Sequence, residues 1–152
     1  MIYKYTLSVT GNEFYPSIVL GEIQGDFLTV NQFNPNDKPS SSNSIAYGYG
    51  CVSFWHPNHA STEDEILNYE NSLVEFLIKN YNLFIRHGVQ TIEIFMEIFF
   101  DGRQCNFEVF SNTLLKKLSN FGVSLPISIY VLEEEKIQQW EEEIRHVWKN
   151  TQ

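Results

Sequence analysis

Tyr3, Tyr5, Leu7 and Val9 alternate with Lys4, Thr6, Ser8 and Thr10, a period of two that predicts a half-buried strand ending at Gly11. Phe14-Tyr15-Pro16-Ser17 follows as a tight turn or one short helical turn, because proline suits the first helical position. Residues 27–33 read as a second, more weakly patterned strand. The stretch 34–44 has no apolar residue to anchor it and is expected to be a mobile loop. Tyr47, Tyr49, Cys51, Ser53 and Trp55 share one face of a third strand, with Gly48 and Gly50 on the other. Two glycines on one face predict a bulge or the close approach of another segment.

The period then changes. Ser61-Thr62-Glu63-Asp64-Glu65 reads as a helix start, with capping-box spacing between Thr62 and Glu65 and carboxylates at the positive end of the helix dipole. Ile66, Tyr69, Leu73, Leu77, Tyr81 and Phe84 continue it at helical spacing; Asn80 and Asn82 are expected points of interruption, and Gly88 closes it. From Thr91 to Phe100 the alternation returns: Ile92, Ile94, Met96, Ile98 and Phe100 face one way, and Glu93, Phe95, Glu97 and Phe99 the other. Asp101-Gly102 is a hairpin signal, with a return strand expected over 104–109.

Ser111 caps the next helix, whose buried stripe is Leu114, Leu115, Leu118 and Phe121, and Gly122 ends it. Leu125, Ile127, Ile129 and Val131 form a last strand, which Pro126 assigns to an edge or a strand start. Residues 133–149 form an amphipathic helix with Ile137, Trp140, Ile144, Val147 and Trp148 on one stripe. The expected architecture is α+β: a mostly antiparallel sheet of about five to six strands, two main helices on one face and a C-terminal amphipathic helix. No linker divides the chain, so residues 1–152 read as one domain, a core over 1–132 with the last helix added.

Composition narrows the function classes. With 43% hydrophobic residues the chain can build a core without disulfides or metal. Nineteen acidic against ten basic residues give a formal charge of −9, which repels a phosphate backbone and favours a basic partner. The start of the chain lacks a secretory pattern and no run is long enough to span a membrane, so a cytoplasmic protein with Cys51 and Cys105 as buried thiols is expected. The tail helix carries Glu141, Glu142 and Glu143 on its polar side, which disfavours an anionic membrane surface as well.

No chemistry-bearing pattern rises above its structural alternative. His56 and His59 are spaced to share a metal, but Pro57 forbids an ordinary helix between them, and no metal site is expected. Glu93 and Glu97 could act as paired acids, yet alternate strand positions also place two carboxylates on a wet sheet face. Gly48-Tyr49-Gly50 lacks the context of a dinucleotide-binding turn, and no nucleophile elbow occurs. No cofactor and no catalytic residue is expected.

The order of several short motifs is similar to that of the bacterial family catalogued as domain of unknown function 4279. These are Gly11-x-x-Phe14-x-Pro16, Tyr47-Gly48-Tyr49-Gly50, Cys105-Asn106-Phe107-Glu108, Leu115-x-x-Leu118-x-x-Phe121-Gly122 and Leu125-x-Ile127-Ser128-x-Tyr130. The likeness covers residues 3–132 and departs at Leu20-Gly21-Glu22-Ile23-Gln24, which lacks a proline soon after the leucine–glycine pair. It implies an α+β fold and carries no catalytic residues.

By analogy with small acidic immunity proteins, the expected function is non-enzymatic protein binding, occluding a cognate toxin such as a basic nuclease. The expected partner-binding residues are Glu63, Asp64, Glu65, Tyr47, Tyr49, Glu141, Glu142 and Glu143, on a monomer or weak homodimer that binds neither nucleic acid nor membrane. The alternative is a small-molecule-binding domain or an enzyme, with a cleft beside the 34–44 loop.

Overall fold

The computed structural model describes residues 1–40, 44–57, 60–62, 69–102 and 110–149. Its strands are β1 (Ile2–Gly11), β2 (Leu28–Phe33), β3 (Gly50–Trp55), β4 (Ser61–Thr62), β5 (Thr91–Phe100), β6 (Val123–Ser124) and β7 (Ile127–Val131). Its helices are α1 (Pro16–Val19), α2 (Tyr69–Arg86), α3 (Asn112–Leu118) and α4 (Glu134–Lys149). The fold is α+β. One mixed sheet runs β2-β3-β1-β5-β6, with β4 also on β1 and β7 also on β5. Among the described residues, no helix is long and apolar enough to cross a membrane.

The alternation read from the sequence sets the sheet's two faces. Leu7 lies between Phe54 and Ile94, and Val9 between Val52 and Ile92, so these side chains share the face that α2 and α3 cover. From α2 come Leu73, Val74, Phe76, Leu77 and Phe84, and from α3 comes Leu118, all buried there. Ser111 caps α3 by accepting the Leu114 N–H at 3.3 Å, and Gly122 ends the following turn at φ +60°, both as the sequence predicts. Leu115 does not join the stripe. It is 44% exposed, because α3 has only seven residues and turns only Leu118 fully inward.

The second face carries the amphipathic helix. Ile137 and Ile144 of α4 bury against Ile2 and Ala60, while Trp140 meets the Phe99 ring edge-on at 4.9 Å. Lys4 lies on this face with its ammonium 4.7 Å from the Trp140 ring centroid, a cation–π contact that also covers the aliphatic stem. The side chains of Val147 and Trp148 lie outside the described residues. The sheet is therefore covered from both sides at the Ile2–Phe99 end.

Several expectations are corrected. Gly102 does turn at φ +84°, but over Ile92–Phe100 the edge of β5 away from β1 is taken by β6 and β7. Both run parallel to β5, which requires a crossover, and α3 supplies it. The expected return strand, 104–109, and Cys105 lie outside the described residues. Asn80 does not interrupt α2, which runs unbroken, because its side chain is buried and makes three hydrogen bonds. Ser61–Thr62 pair with Ile2 and Tyr3 as a strand; the capping partner, Glu65, lies outside the described residues. Ile127, Ile129 and Val131 share the α2 side with Met96, Ile98 and Phe100, yet each is more than half exposed.

Tyr5 is the most perturbed acid in the core. Its hydroxyl donates to Glu70 Oε1 at 2.8 Å, and its ring meets Phe110 edge-on. Burial first, and the Glu70 carboxylate second, push the phenol far above its ordinary range. A raised pKa in the folded state means stability is fully present below the unfolded tyrosine value of about 10 and falls as pH rises above it. Tyr5→Phe should cost about 1–2 kcal/mol at neutral pH, since it leaves the Glu70 carboxylate short of a donor. It should also flatten the loss of stability between about pH 10 and 11. Urea midpoints of both proteins across that range provide the check; parallel pH profiles would contradict the assignment.

Candidate functional site

The loop that follows β2 is built from local polar chemistry. Asn34 accepts the Ser17 hydroxyl on its side-chain oxygen at 2.9 Å, tying the loop to α1. The Asp37 carboxylate accepts the Asn34 N–H at 2.7 Å, and the Asp37 N–H returns to the Asn34 carbonyl at 3.0 Å. Tyr47 N–H reaches the Asp37 carbonyl, and Gly48 N–H the carbonyl of Pro35, which is buried. The expectation of an unanchored loop is therefore corrected over 34–40: the anchors are hydrogen bonds and a proline rather than an apolar side chain. Residues 41–43 lie outside the described part.

This scaffold brings three rings together at the end of β2. Phe33 stacks on Tyr47 with centroids 3.9 Å apart, and Tyr49 meets Phe33 edge-on at 5.3 Å. Tyr49 is 40% exposed. Neither tyrosine belongs to β3, which begins at Gly50, so the sequence reading of five residues on one strand face is corrected to Cys51, Ser53 and Trp55. Gly48 at φ +75° turns the chain between the two tyrosines. Beside the rings, β2 is an outer strand of the sheet with Leu28 and Val30 exposed, and its register shifts between Thr29 and Asn31. The Phe33 contribution was not expected from sequence, although an aromatic ending a strand beside two loop tyrosines is a usable signal.

At the other end of β2, about 17 Å away along the strand, lies a cleft of about 430 Å³ between α2 and the segment that enters β2. Phe27 and Phe76 stack at 4.4 Å on its floor, and His56 meets Phe27 edge-on at 5.4 Å. Asp26, Glu75 and Lys79 line it with charges of both signs. Gly25 holds φ +116°, and a Cβ there would lie 3.0 Å from the Phe76 ring, so a glycine lets this backbone rest against the aromatic edge. The cleft is not beside the 34–44 loop, where the alternative reading expected one. Its wall is set by Asn80, which pins both backbone groups of Gln24.

The remaining expected residues separate. Glu63, Asp64 and Glu65 lie outside the described residues, as does His59. Glu142 and Glu143 are exposed on α4. Glu141 is not the free surface acid the sequence suggested: its side chain is 20% exposed and accepts the Met1 ammonium at 2.8 Å. Glu93 and Glu97 are half-buried on the α4 side of the sheet, opposite Ser8 and Lys4 respectively, so Glu97 has a cationic cross-strand neighbour that the sequence could not identify. Ser8 and Ser53 hydroxyls meet there at 2.9 Å. Burial pushes the nearby Cys51 thiol up, with the Ser53 hydroxyl opposing and Glu93 adding to the rise, so this sulfur is held as the unreactive thiol. Among the described residues, no group of three His, Cys, Asp or Glu side chains could hold a metal ion.

Comparison with family models, with curated proteins and with solved structures returns no match to this chain.

Proposed function

We propose that this chain is a non-catalytic protein-binding module of the immunity type, acting in the cytoplasm on a basic partner such as a nuclease toxin. The observation that carries the reading is the cluster of half-buried Phe33 and Tyr47 with exposed Tyr49, held by a hydrogen-bonded loop at the end of an outer strand. Aromatic side chains lose little conformational freedom on docking and dominate the energetics of many interfaces. Here two of them are already stacked, so part of the ordering cost of an interface is absent before the partner arrives. The formal charge of −9 supports the second half of the reading. A field of that sign accelerates encounter with a cationic surface and repels polyanions. The carboxylates of Glu142 and Glu143 are exposed and contribute to it, Glu143 with only a long surface bond from Gln139 at 3.4 Å.

The test is co-expression with the product of the adjacent upstream gene. The reading expects that product to be toxic alone and tolerated in the presence of this chain. Tyr49→Ala, at the exposed ring of the cluster, should restore toxicity and speed dissociation at least tenfold, or about 1.4 kcal/mol, with little change in melting temperature. Reversing Glu142 and Glu143 to lysine should lower the association rate and its salt dependence while leaving dissociation nearly unchanged. An upstream product that is harmless alone, or equally toxic with and without this chain, rules the reading out.

A further inference from the structure

The cleft between α2 and residues 24–27 lies at the opposite end of β2 from the aromatic cluster, and the protein-binding reading makes no use of it. Its volume falls within the ~300–1,000 Å³ of small-molecule sites. The floor is apolar: the half-buried Phe27 ring lies stacked over the buried Phe76 ring with an interplanar angle of 22°. Three charged groups stand around that floor. Glu75 and Lys79 are one turn apart on α2, about 6 Å along and across the helix surface, and Asp26 lies on the facing segment. Among the described residues, neither Asp26 nor Lys79 makes an ion pair or a side-chain hydrogen bond. The Glu75 carboxylate accepts one long bond, at 3.3 Å, from Asn71. The facing segment runs from Gln24, pinned by Asn80, to Phe27, stacked on Phe76, and Asp26 and Lys79 line the same cleft.

We propose that this cleft binds a zwitterion of the amino-acid type. The ligand's ammonium would sit between the carboxylates of Asp26 and Glu75, its carboxylate at the Lys79 ammonium and its side chain over the Phe27–Phe76 pair. A purely anionic ligand would meet two carboxylates, and a purely cationic one would leave Lys79 repelling it; only a ligand with both charges matches all three groups. The stacked floor selects a planar or long apolar side chain. The cleft is pre-formed on the ligand's side, since Gly25 and the Asn80 clasp fix the 24–27 backbone against α2.

Phenylalanine serves as the probe, titrated into the uniformly ¹⁵N-labelled full chain and followed by amide chemical shifts. Saturable shifts at Gly25, Asp26, Phe76 and Lys79 are expected. Phenethylamine, 3-phenylpropionate and N-acetylphenylalanine amide, which each lack one or both charges, should bind at least about tenfold more weakly. Asp26→Asn and Lys79→Gln should each weaken phenylalanine binding about tenfold with the melting temperature unchanged, since neither side chain has a partner among the described residues. A dipeptide of two phenylalanines separates the sources: tighter binding than the free amino acid assigns the site to a peptide terminus, weaker binding to the free amino acid. No shifts at about 10 mM phenylalanine, or equal binding of the doubly blocked compound, would overturn the proposal. The upstream-gene experiment is unaffected by either result, so the two ideas fail separately.

Discussion

Gly50→Ala should destabilise the protein by at least about 3 kcal/mol, a large share of the 5–15 kcal/mol that holds a domain of this size together. Gly50 pairs with Gly11 across β1 and β3, and both glycines point their missing side chains to the face that α2 covers. The chain crosses that face directly above them. A Cβ on Gly50 would lie on the Phe14 carbonyl oxygen, 2.8 Å from its carbon and 3.1 Å from Pro16 Cδ. These are mostly backbone atoms, and Phe14 and Pro16 are buried, so no flexible side chain can move aside. Neither glycine has a positive φ that alanine could not adopt, so the cost is steric alone. Gly21→Ala is the matched control. Nothing lies within 4 Å of its Cβ, and a loss of unfolded-state entropy should leave stability within about 0.5 kcal/mol of the parent or slightly above it. Urea denaturation of the three proteins decides the matter; a Gly50→Ala midpoint equal to that of Gly21→Ala would contradict this geometry.

Gly50 also illustrates what the sequence conveys. Its place opposite Cys51, Ser53 and Trp55 in the alternation announces a close approach, and the approach exists, but the segment that approaches is fixed only by the turn from Gly11 to Pro16. The same holds more widely. Strict alternation in β1 and β5 is legible because one buried face repeats every two residues, and the seven-residue α3 is legible from Ser111 and Gly122 because capping is local chemistry. What the pattern does not carry is which strands become neighbours. Asp101-Gly102 is a sound turn, yet β5 pairs along that edge with strands that arrive later, through a crossover no local signal encodes.

The candidate site follows the same division. Tyr47 and Tyr49 are visible as aromatic residues near glycine, but Phe33, on which Tyr47 stacks and which Tyr49 meets edge-on, comes from β2. The cleft was invisible because it joins residues about fifty positions apart, and because Phe76 stands just off the apolar line of Leu73 and Leu77 on which α2 was read. Polar residues at surface positions of a helix, such as Glu75 and Lys79, look alike in sequence whether or not an aromatic floor lies between them and the next segment. The tail acids were equally indistinguishable: Glu141 differs from Glu142 and Glu143 only because the chain's own ammonium lies under it.

Asn80 is the residue at which sequence and structure differ most, and its replacement has the second large expected effect. In a helix an asparagine has weak propensity, which is why it reads as an interruption. Here the side chain is 1% exposed and uses three of its hydrogen-bonding positions. Its amide nitrogen donates to the carbonyls of Gln24 and Phe76, each at 2.9 Å, and its oxygen accepts the Gln24 N–H at 2.9 Å. That two-way bond substitutes for a strand ladder, satisfying a backbone segment that belongs to no strand or helix and binding it to α2. Asn80→Ala removes the clasp, strands both Gln24 backbone groups and opens a small void, at a combined cost of about 2–4 kcal/mol. Asn82→Ala, on the exposed side of the same helix, should instead be neutral or mildly stabilising, by up to about 0.5 kcal/mol, because it only improves propensity. Denaturant midpoints separate the two. Amide hydrogen exchange adds the local readout: in Asn80→Ala the Gln24 amide should lose protection beyond the global loss, while amides of β1 and β5 should change only by the shift in overall stability. Equal stabilities for the two variants, or unchanged protection at Gln24, would mean the clasp does not hold this segment and that the cleft wall has some other support.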